Sequence, residues 1–366
     1  MRPIRVAILK TQDYRAWLEF RARGEAAGDL GPYSVNHLRS AGFELMYSDR
    51  MFARPWSSPI VARTVGHVER RSDAYYGLGN AIANRKLIRS ADITLGIFED
   101  NGSFAAAVQT TPLRAVFPSK VALLVCWLAE RAQHASHRKL ERYRRVIAGA
   151  DKVFYFSPNQ TEIFEQCLRA DRAKLHPVDF GIDGDFFAPV GVASDGGYVV
   201  AVGRDRSRDH ELLVEAVRGT GISTRIYSPR LAVDRIPPNV TWIPQRVSHL
   251  HYRHALANSR LVVVPTRSLA YPAGQTVILE GMASRKVVIA TDSTAIRHYV
   301  RDGVTGVLTP PGDREALRQA IRDLVEDSER RERIAAAGLA SIRARFNQRT
   351  MWATIGLHLR SLSPSS

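Results

Sequence analysis

The sequence predicts an α/β protein of two domains, each built on a mostly parallel sheet. Three observations carry this. Short, predominantly apolar runs such as residues 4–9, 198–202 and 287–290 suit parallel strands buried on both faces. They alternate with longer stretches of helical apolar spacing. The alternation pauses at residues 191–197, a linker-like segment, and then restarts. These breaks predict a first domain over 1–190, a second over 191–345, and a final helix and tail over 346–366.

In the first half, residues 4–9 are the first strand. Residues 11–27 are arginine-rich and long for a strand–helix loop, so a short helix or an acceptor-binding insertion is expected there. Gly28, Gly31 and Pro32 make a tight turn into a helix over 33–40. A second strand follows at 43–47, an irregular stretch at 51–71, and a helix over 72–89. Residues 91–98 form the third strand, with Glu99, Asp100, Asn101 and Gly102 at its carboxyl end. A strand near 121–128 leads to a helix from about Glu130, then a basic amphipathic helix over 138–150. The half closes with a strand at 152–156, a helix at 160–168, a short strand at 175–178 and a turn-rich passage at 181–189.

The second half opens with the strand at 198–202, which ends in Gly203 and Arg204. A helix over 211–217, strands at 225–227 and 240–243 and a helix over 250–257 follow. Residues 261–264 are a buried strand stopped by Pro265. A loop over 268–274 leads to a helix over 276–283 in which Glu280 is the one carboxylate among apolar neighbours. Then come the strand at 287–290, a Gly/Pro-rich loop to Gly312, and helices over 314–326, 329–345 and 348–362. In folds of this class ligands sit at the carboxyl ends of strands and the amino ends of helices.

The formal charge of +16 over 366 residues narrows the partners. The basic residues are spread rather than blocked and spell no nucleic-acid motif, so nucleic acid is not an expected partner. An arginine-rich chain serving an anionic substrate and a peripheral contact with an anionic membrane both fit. No apolar run reaches the ~18 residues of a membrane span. Residues 1–10 read as a strand rather than a signal peptide. Cys126 and Cys167 lack metal or redox spacing and read as reduced thiols. A cytoplasmic protein is expected, with the inner membrane face as a place of peripheral contact.

Several blocks resemble the GT-B glycosyltransferases, specifically the retaining family 4 (group 1). VGRDRSRDHELLVEA at 202–216, VTWIPQRVSHLHYRHALANSRLVVVP at 240–265, GQTVILEGMASRKVVIATD at 274–292 and RDGVTGVLTPPGD at 301–313 fall in that family's order. GIDGDFFAP at 181–189 is similar to the segment joining its domains. The resemblance runs over about 150–349 and is weak before that. It implies the GT-B fold: two Rossmann-like domains facing a cleft, with a C-terminal helix crossing back to the first. It also implies a nucleotide diphosphate sugar bound by the second domain, no cofactor, no metal, and an acceptor hydroxyl presented by the first. The acceptor class, whether glycan, lipid-linked or small molecule, is left open.

Negative charge grows on a departing diphosphate, so cations or dipoles must meet it. Arg204 and Arg208 match the family's diphosphate-binding pair, with Arg208 in place of the usual lysine. Glu280 matches the second glutamate of the paired-glutamate motif, where a ribose diol would satisfy it. Gly203, Gly274, Gln275 and Thr276 complete the expected donor side, through backbone N–H groups at a helix start. Eight residues before Glu280 stands Pro272, where the family keeps its first glutamate. Gln275 or nearby backbone must take that role, or the sugar differs. On the acceptor side the candidates are Gly31, Glu99, Asp100, Trp127 and Glu130. Asp183-Gly184-Asp185 spells a D-x-D, but in a joining segment; His134, His137, His249, His251 and His254 lack partners at ligand spacing. The alternatives to a transferase are a non-catalytic sugar-nucleotide-binding subunit, favoured by Pro272, and a GT-B sugar-nucleotide epimerase.

Overall fold

A computed structural model describes residues 2–10, 22–24, 32–47, 78–189 and 196–362. The chain divides into two compact units. One comprises Met1–Glu19, Leu30–Asp179 and Arg349–Ser366; the other comprises Phe20–Asp29 and Phe180–Gln348. Each holds a six-stranded, wholly parallel sheet.

In the first unit the strands are β1 (Ile4–Leu9), β2 (Phe43–Met46), β3 (Ile93–Ile97), β4 (Lys120–Val125), β5 (Lys152–Tyr155) and β6 (Leu175–Pro177), in the order β2-β1-β3-β4-β5-β6. Helices α1 (His37–Ser40), α2 (Leu78–Ala83), α3 (Arg85–Ser90), α4 (Glu99–Ala107), α5 (Leu128–Gln133), α6 (His137–Gly149) and α7 (Gln160–Leu168) connect them. Strands β3 and β4 are apolar because both faces are covered; Ile93, Leu95, Val121 and Leu123 have no exposed surface.

Two expectations change here. The helix expected over 33–40 does not form as one piece. A 3-10 turn at Pro32–Ser34 carries left-handed Tyr33 and Ser34 (φ 53° and 52°), and α1 starts only at His37. Residues 99–102, placed after the third strand with no helix expected there, open α4.

In the second unit the strands are β7 (Val199–Val202), β8 (Thr224–Tyr227), β9 (Val240–Ile243), β10 (Leu261–Val264), β11 (Val287–Thr291) and β12 (Val307–Thr309), in the order β12-β11-β10-β7-β8-β9. Edge strand β12 lies in what the sequence presents as a Gly/Pro-rich loop. The helices are α8 (Gly184–Phe187), α9 (His210–Val217), α10 (His249–Ala257), α11 (Gln275–Ala283), α12 (Arg314–Glu326) and α13 (Ser328–Ala344). Leu213, Val217, Ile226, Leu261, Val263, Ile289, Leu317 and Ile321 form the core against the sheet.

The last helix, α14 (Gln348–Arg360), packs on the first unit from Arg349 onward. Its stripe of Met351, Trp352, Ile355 and Leu359 is buried. The indole N–H of Trp352 donates to the Tyr33 carbonyl at 2.6 Å, a group left outside the helix by the left-handed turn. Gly356 lets Phe43 and Leu38 approach, and the guanidinium of Arg360 lies 5.0 Å from the Phe43 ring centroid. Trp352→Ala is expected to destabilise the first unit by about 3–5 kcal/mol. Trp352→Phe, which keeps most of the volume and loses the N–H, is expected to cost about 1–2 kcal/mol. Urea unfolding of the two variants checks this; equal costs would place the indole's contribution in its N–H hydrogen bond alone.

Candidate active site

The strand order of the second sheet reverses between β7 and β10, so their loops leave in opposite directions and open a crevice at their carboxyl ends. The loop after β7 runs from Gly203 to Asp209. It is tied to the segment after β10 by an isolated antiparallel bridge between Arg208 and Thr266, and by the N–H groups of Asp209 and Arg267, which donate to Pro265 and Ser207. Asp209 then caps α9, accepting from the Leu212 N–H at 3.1 Å. Within the loop, Asp205 Oδ1 accepts the Ser207 N–H at 2.8 Å, and the Tyr271 hydroxyl donates to both carboxylate oxygens at 3.2–3.3 Å.

This scaffold holds Arg208 in a narrow slot. A Cβ on Gly203 would collide with Arg208 Nε, and one on Gly274 would collide with its guanidinium nitrogen NH1. Both positions are therefore glycine for steric reasons, and Gly274 also has φ 87°. Nε and NH1 are fully covered and have no hydrogen-bond partner among the described residues. Burial pulls the Arg208 pKa below its usual value, against the opposing attraction of Asp205, Tyr252, Tyr271 and Glu280. Arg204, on the same loop, is exposed.

Gly274 is the N-cap of α11 and no side chain caps that end. Gln275 is 6% exposed and its Oε1 has no partner among the described residues, while Thr276 is exposed. Pro272 is buried, and its carbonyl accepts the Gln275 N–H at 3.1 Å. One and a half turns into α11, half-buried Glu280 accepts a short hydrogen bond from the hydroxyl of Tyr252 on α10. Burial, then the Glu280 charge, push the Tyr252 pKa well above that of an ordinary tyrosine, so it stays a donor. The ring of Tyr252 sits edge-on to Phe187 of α8, centroids 5.9 Å apart. A half-buried cation with two covered nitrogens, a helix start with no side-chain cap and an oriented carboxylate thus belong to one end of one sheet. That set suits a diphosphate flanked by hydroxyl groups.

Residues 198–327 match the family described as "Glycosyl transferases group 1". A phosphatidyl-myo-inositol mannosyltransferase of Mycobacterium leprae is 42% identical over 67 residues, covering 18% of each chain. An alpha-maltose-1-phosphate synthase of Mycobacterium tuberculosis is 28% identical over 245 residues, which is 57% of this chain and 62% of that one. The chain thus spans less than two thirds of the length of these relatives. Sucrose-phosphate synthase from Thermosynechococcus elongatus superposes with a TM-score of 0.72 at 18% identity, over 99% of both chains. HepE from Anabaena, solved with UDP-glucose, superposes at 0.64 and 15% identity, over 98% of this chain and 100% of that one. Over residues 198–327 the chain thus matches a group 1 glycosyltransferase domain, and it shares the fold of these solved structures.

Tyr252, Asp205, Tyr271 and His210 are the residues of that domain's site which the sequence did not single out. His210 is 2% exposed at the start of α9 and its Nε2–H donates to the Gly203 carbonyl at 3.3 Å. It thereby steadies the strand end beside Arg208.

In the first unit, Glu99 begins α4 and is 2% exposed. Its Oε1 accepts the backbone N–H groups of Cys126, at 3.0 Å, and Trp127. It therefore clamps the end of β4 to the end of β3. Trp127 is half-buried against Phe98, centroids 5.4 Å apart. Glu130 pairs with His134 at 3.1 Å. Asp100 lies within α4, and Gly31 falls outside the described residues. Asp183 caps α8, accepting the Phe186 N–H at 3.0 Å. Among the described residues no three His, Cys, Asp or Glu side chains are grouped to hold a metal, and no helix is long and apolar enough to cross a membrane. Cys126 and Cys167 are free thiols.

Burial, followed by the Arg208 charge, lowers the His210 pKa from 6.5 to about 4. The unfolded chain binds the extra proton between these values, so stability is complete above about pH 6.5 and falls as pH drops towards 4. The shift corresponds to roughly 3 kcal/mol. His176 is lowered to about 4 as well, chiefly by burial, so the test is a difference. His358 is lowered too, and His210→Gln is expected to remove only the His210 share, flattening the stability–pH curve between pH 6.5 and 4. Urea midpoints across that range measure it, and an unchanged slope would mean His210 is protonated in the folded state.

Proposed function

We propose that the protein is a retaining, metal-independent glycosyltransferase that takes its sugar from a nucleoside diphosphate donor. The observation that carries this is the buried, unpartnered edge of Arg208. A covered guanidinium without a hydrogen-bond acceptor costs free energy. A diphosphate at the open end of α11 would supply acceptors to Nε and NH1 and oppose their charge. Arg204 adds a second cation from the same loop. As the glycosidic bond breaks, charge accumulates on the leaving diphosphate, and Arg208 is already in place for it. The acceptor hydroxyl attacks from the face the diphosphate leaves, which retains configuration.

Glu280, oriented by Tyr252, takes the ribose hydroxyls. The orphaned Gln275 Oε1 accepts a hydroxyl of the sugar, the role Pro272 cannot fill. Uridine is the first base to test, since HepE was solved with UDP. The acceptor binds at the carboxyl edge of the first sheet, near Trp127, and the basic charge of the chain supports a peripheral contact with anionic membrane.

Nucleotide titration and turnover with a panel of donors and acceptors test the reading. Glu280→Ala is expected to weaken nucleotide binding at least about tenfold, about 1.4 kcal/mol; an unchanged Kd removes Glu280 from the site. Arg208→Met is expected to abolish turnover while raising the urea midpoint, because it removes a buried unpaired charge. Loss of both activity and stability would show that the guanidinium is structural. EDTA is expected to leave turnover intact; loss restored by manganese would overturn metal independence. Nucleotide binding with no transfer to any acceptor would favour a binding subunit, and release of an epimerised sugar without acceptor an epimerase.

A further inference from the structure

The second unit carries a separate cavity of about 760 Å³ at the opposite edge of its sheet. Its wall includes Arg260 just before β10, Arg285 and Lys286 just before β11, and Arg331 and Arg333 of α13. Gly203 and Gly274 follow the carboxyl ends of parallel strands β7 and β10, whereas this cavity lies at the amino ends of β10 and β11. Helix α11 spans the two edges, from Gly274 to the turn that holds Arg285.

Five cations line the cavity against two carboxylates, Glu329 and Glu332. Several of these groups are fixed. Lys286 is 8% exposed. Arg331 NH1 donates to the Leu324 and Val325 carbonyls at 2.7 and 2.8 Å, at the end of α12. Arg285 pairs with Glu332 and sits in the left-handed region, φ 54°. The amino end of α13, at Ser328 and Glu329, opens on the same space and is capped by Asp327, which accepts the Arg330 N–H at 2.8 Å. Like charges gathered around a concave space repel one another, and an anion placed among them relieves that repulsion.

We propose that this cavity binds a phosphorylated polyhydroxy compound. The cations hold the phosphoryl group, and Glu329 and Glu332 accept from the hydroxyls. No aromatic side chain lines the cavity among the described residues, so nothing there stacks on a base, and the ligand is a sugar- or cyclitol-phosphate rather than a nucleotide. The volume lies in the range of small-ligand sites. The same chemistry occurs in a soluble sugar phosphate and in a phosphoinositide-type lipid head group.

The full chain is titrated with a hexose 6-phosphate by calorimetry, with and without saturating nucleoside diphosphate, and sedimented with phosphatidylcholine vesicles containing or lacking phosphatidylinositol. Arg285→Gly combined with Arg333→Glu removes charge at one left-handed position, which glycine adopts freely, and at one exposed position, so the fold is retained. Binding of the hexose phosphate that persists with nucleotide present and weakens at least about tenfold in the double variant is the expected result. Vesicle binding that requires phosphatidylinositol and is lost in the double variant, without hexose phosphate binding, assigns the ligand to a lipid head group. No binding in either arm, binding untouched by the double variant, hexose phosphate displaced by nucleotide, or equal binding of sulfate overturns the proposal. The titration without nucleotide reads this cavity even where the reading of the active site fails.

Discussion

The second unit is arranged around one guanidinium that its own side chains leave partly unmatched. Arg208 lies between Gly203 and Gly274, and any side chain at either glycine would displace it. Gly203 ends β7, and Gly274 starts α11 after β10, so the slot exists only because those two strands are neighbours. The reversed strand order puts them side by side, and the bridge from Arg208 to Thr266 closes the gap. His210 below and Asp205 with Tyr271 beside it hold the loop's backbone. The carboxylates of Asp205 and Glu280 attract the guanidinium, yet burial still dominates its pKa. Sheet topology, two glycines and a short loop thus keep a cation where water does not fully solvate it. In such a place a positive charge acts on an incoming anion with much more force than it would in water.

The sequence reveals the parts of this arrangement that depend on local pattern. Buried parallel strands announce themselves as unbroken apolar runs, so β7, β10 and β11 are readable directly. Glu280 stands out because a lone carboxylate in an apolar helix needs a reason. Its partner does not stand out. Tyr252 is 28 residues away, and Tyr271 is 66 from Asp205; only the fold brings them together. His210 follows Asp209, a visible cap, but what makes it matter is the Gly203 carbonyl across the strand end.

Where the local pattern misleads, the cause is a tertiary contact overriding propensity. Residues 99–102 carry no helical pattern after the third strand, yet Glu99 gains two backbone N–H donors from the end of β4 and α4 starts there. Residues 307–309 lie among glycines and prolines, yet three parallel pairs with β11 make them a strand. Tyr33 has the pattern of a helical residue, but its carbonyl is taken by Trp352, 319 residues later.

The two units use their strand ends in different ways, and the difference bears on where charge can be stabilised. In the first unit the carboxylate at the end of β3 is engaged by backbone N–H groups, and its neighbours are strained. Phe98 at the end of β3 is left-handed (φ 65°), as are Tyr33 and Ser34. The Phe98 and Tyr33 rings meet at 5.0 Å, and Lys10 at the end of β1 lies 3.6 Å from the Tyr33 centroid. Bulky residues persist in that region only when the surrounding packing over-determines them. The result is a wall of packed aromatic rings beside a carboxylate that holds two backbone N–H groups. The second unit instead keeps an unmatched cation and an uncapped helix start. A wall of the first kind can select and orient a group by shape and ring contact; a site of the second kind can meet charge that appears during a reaction. In the proposed transfer, the electrostatic share falls to the unit that holds Arg208.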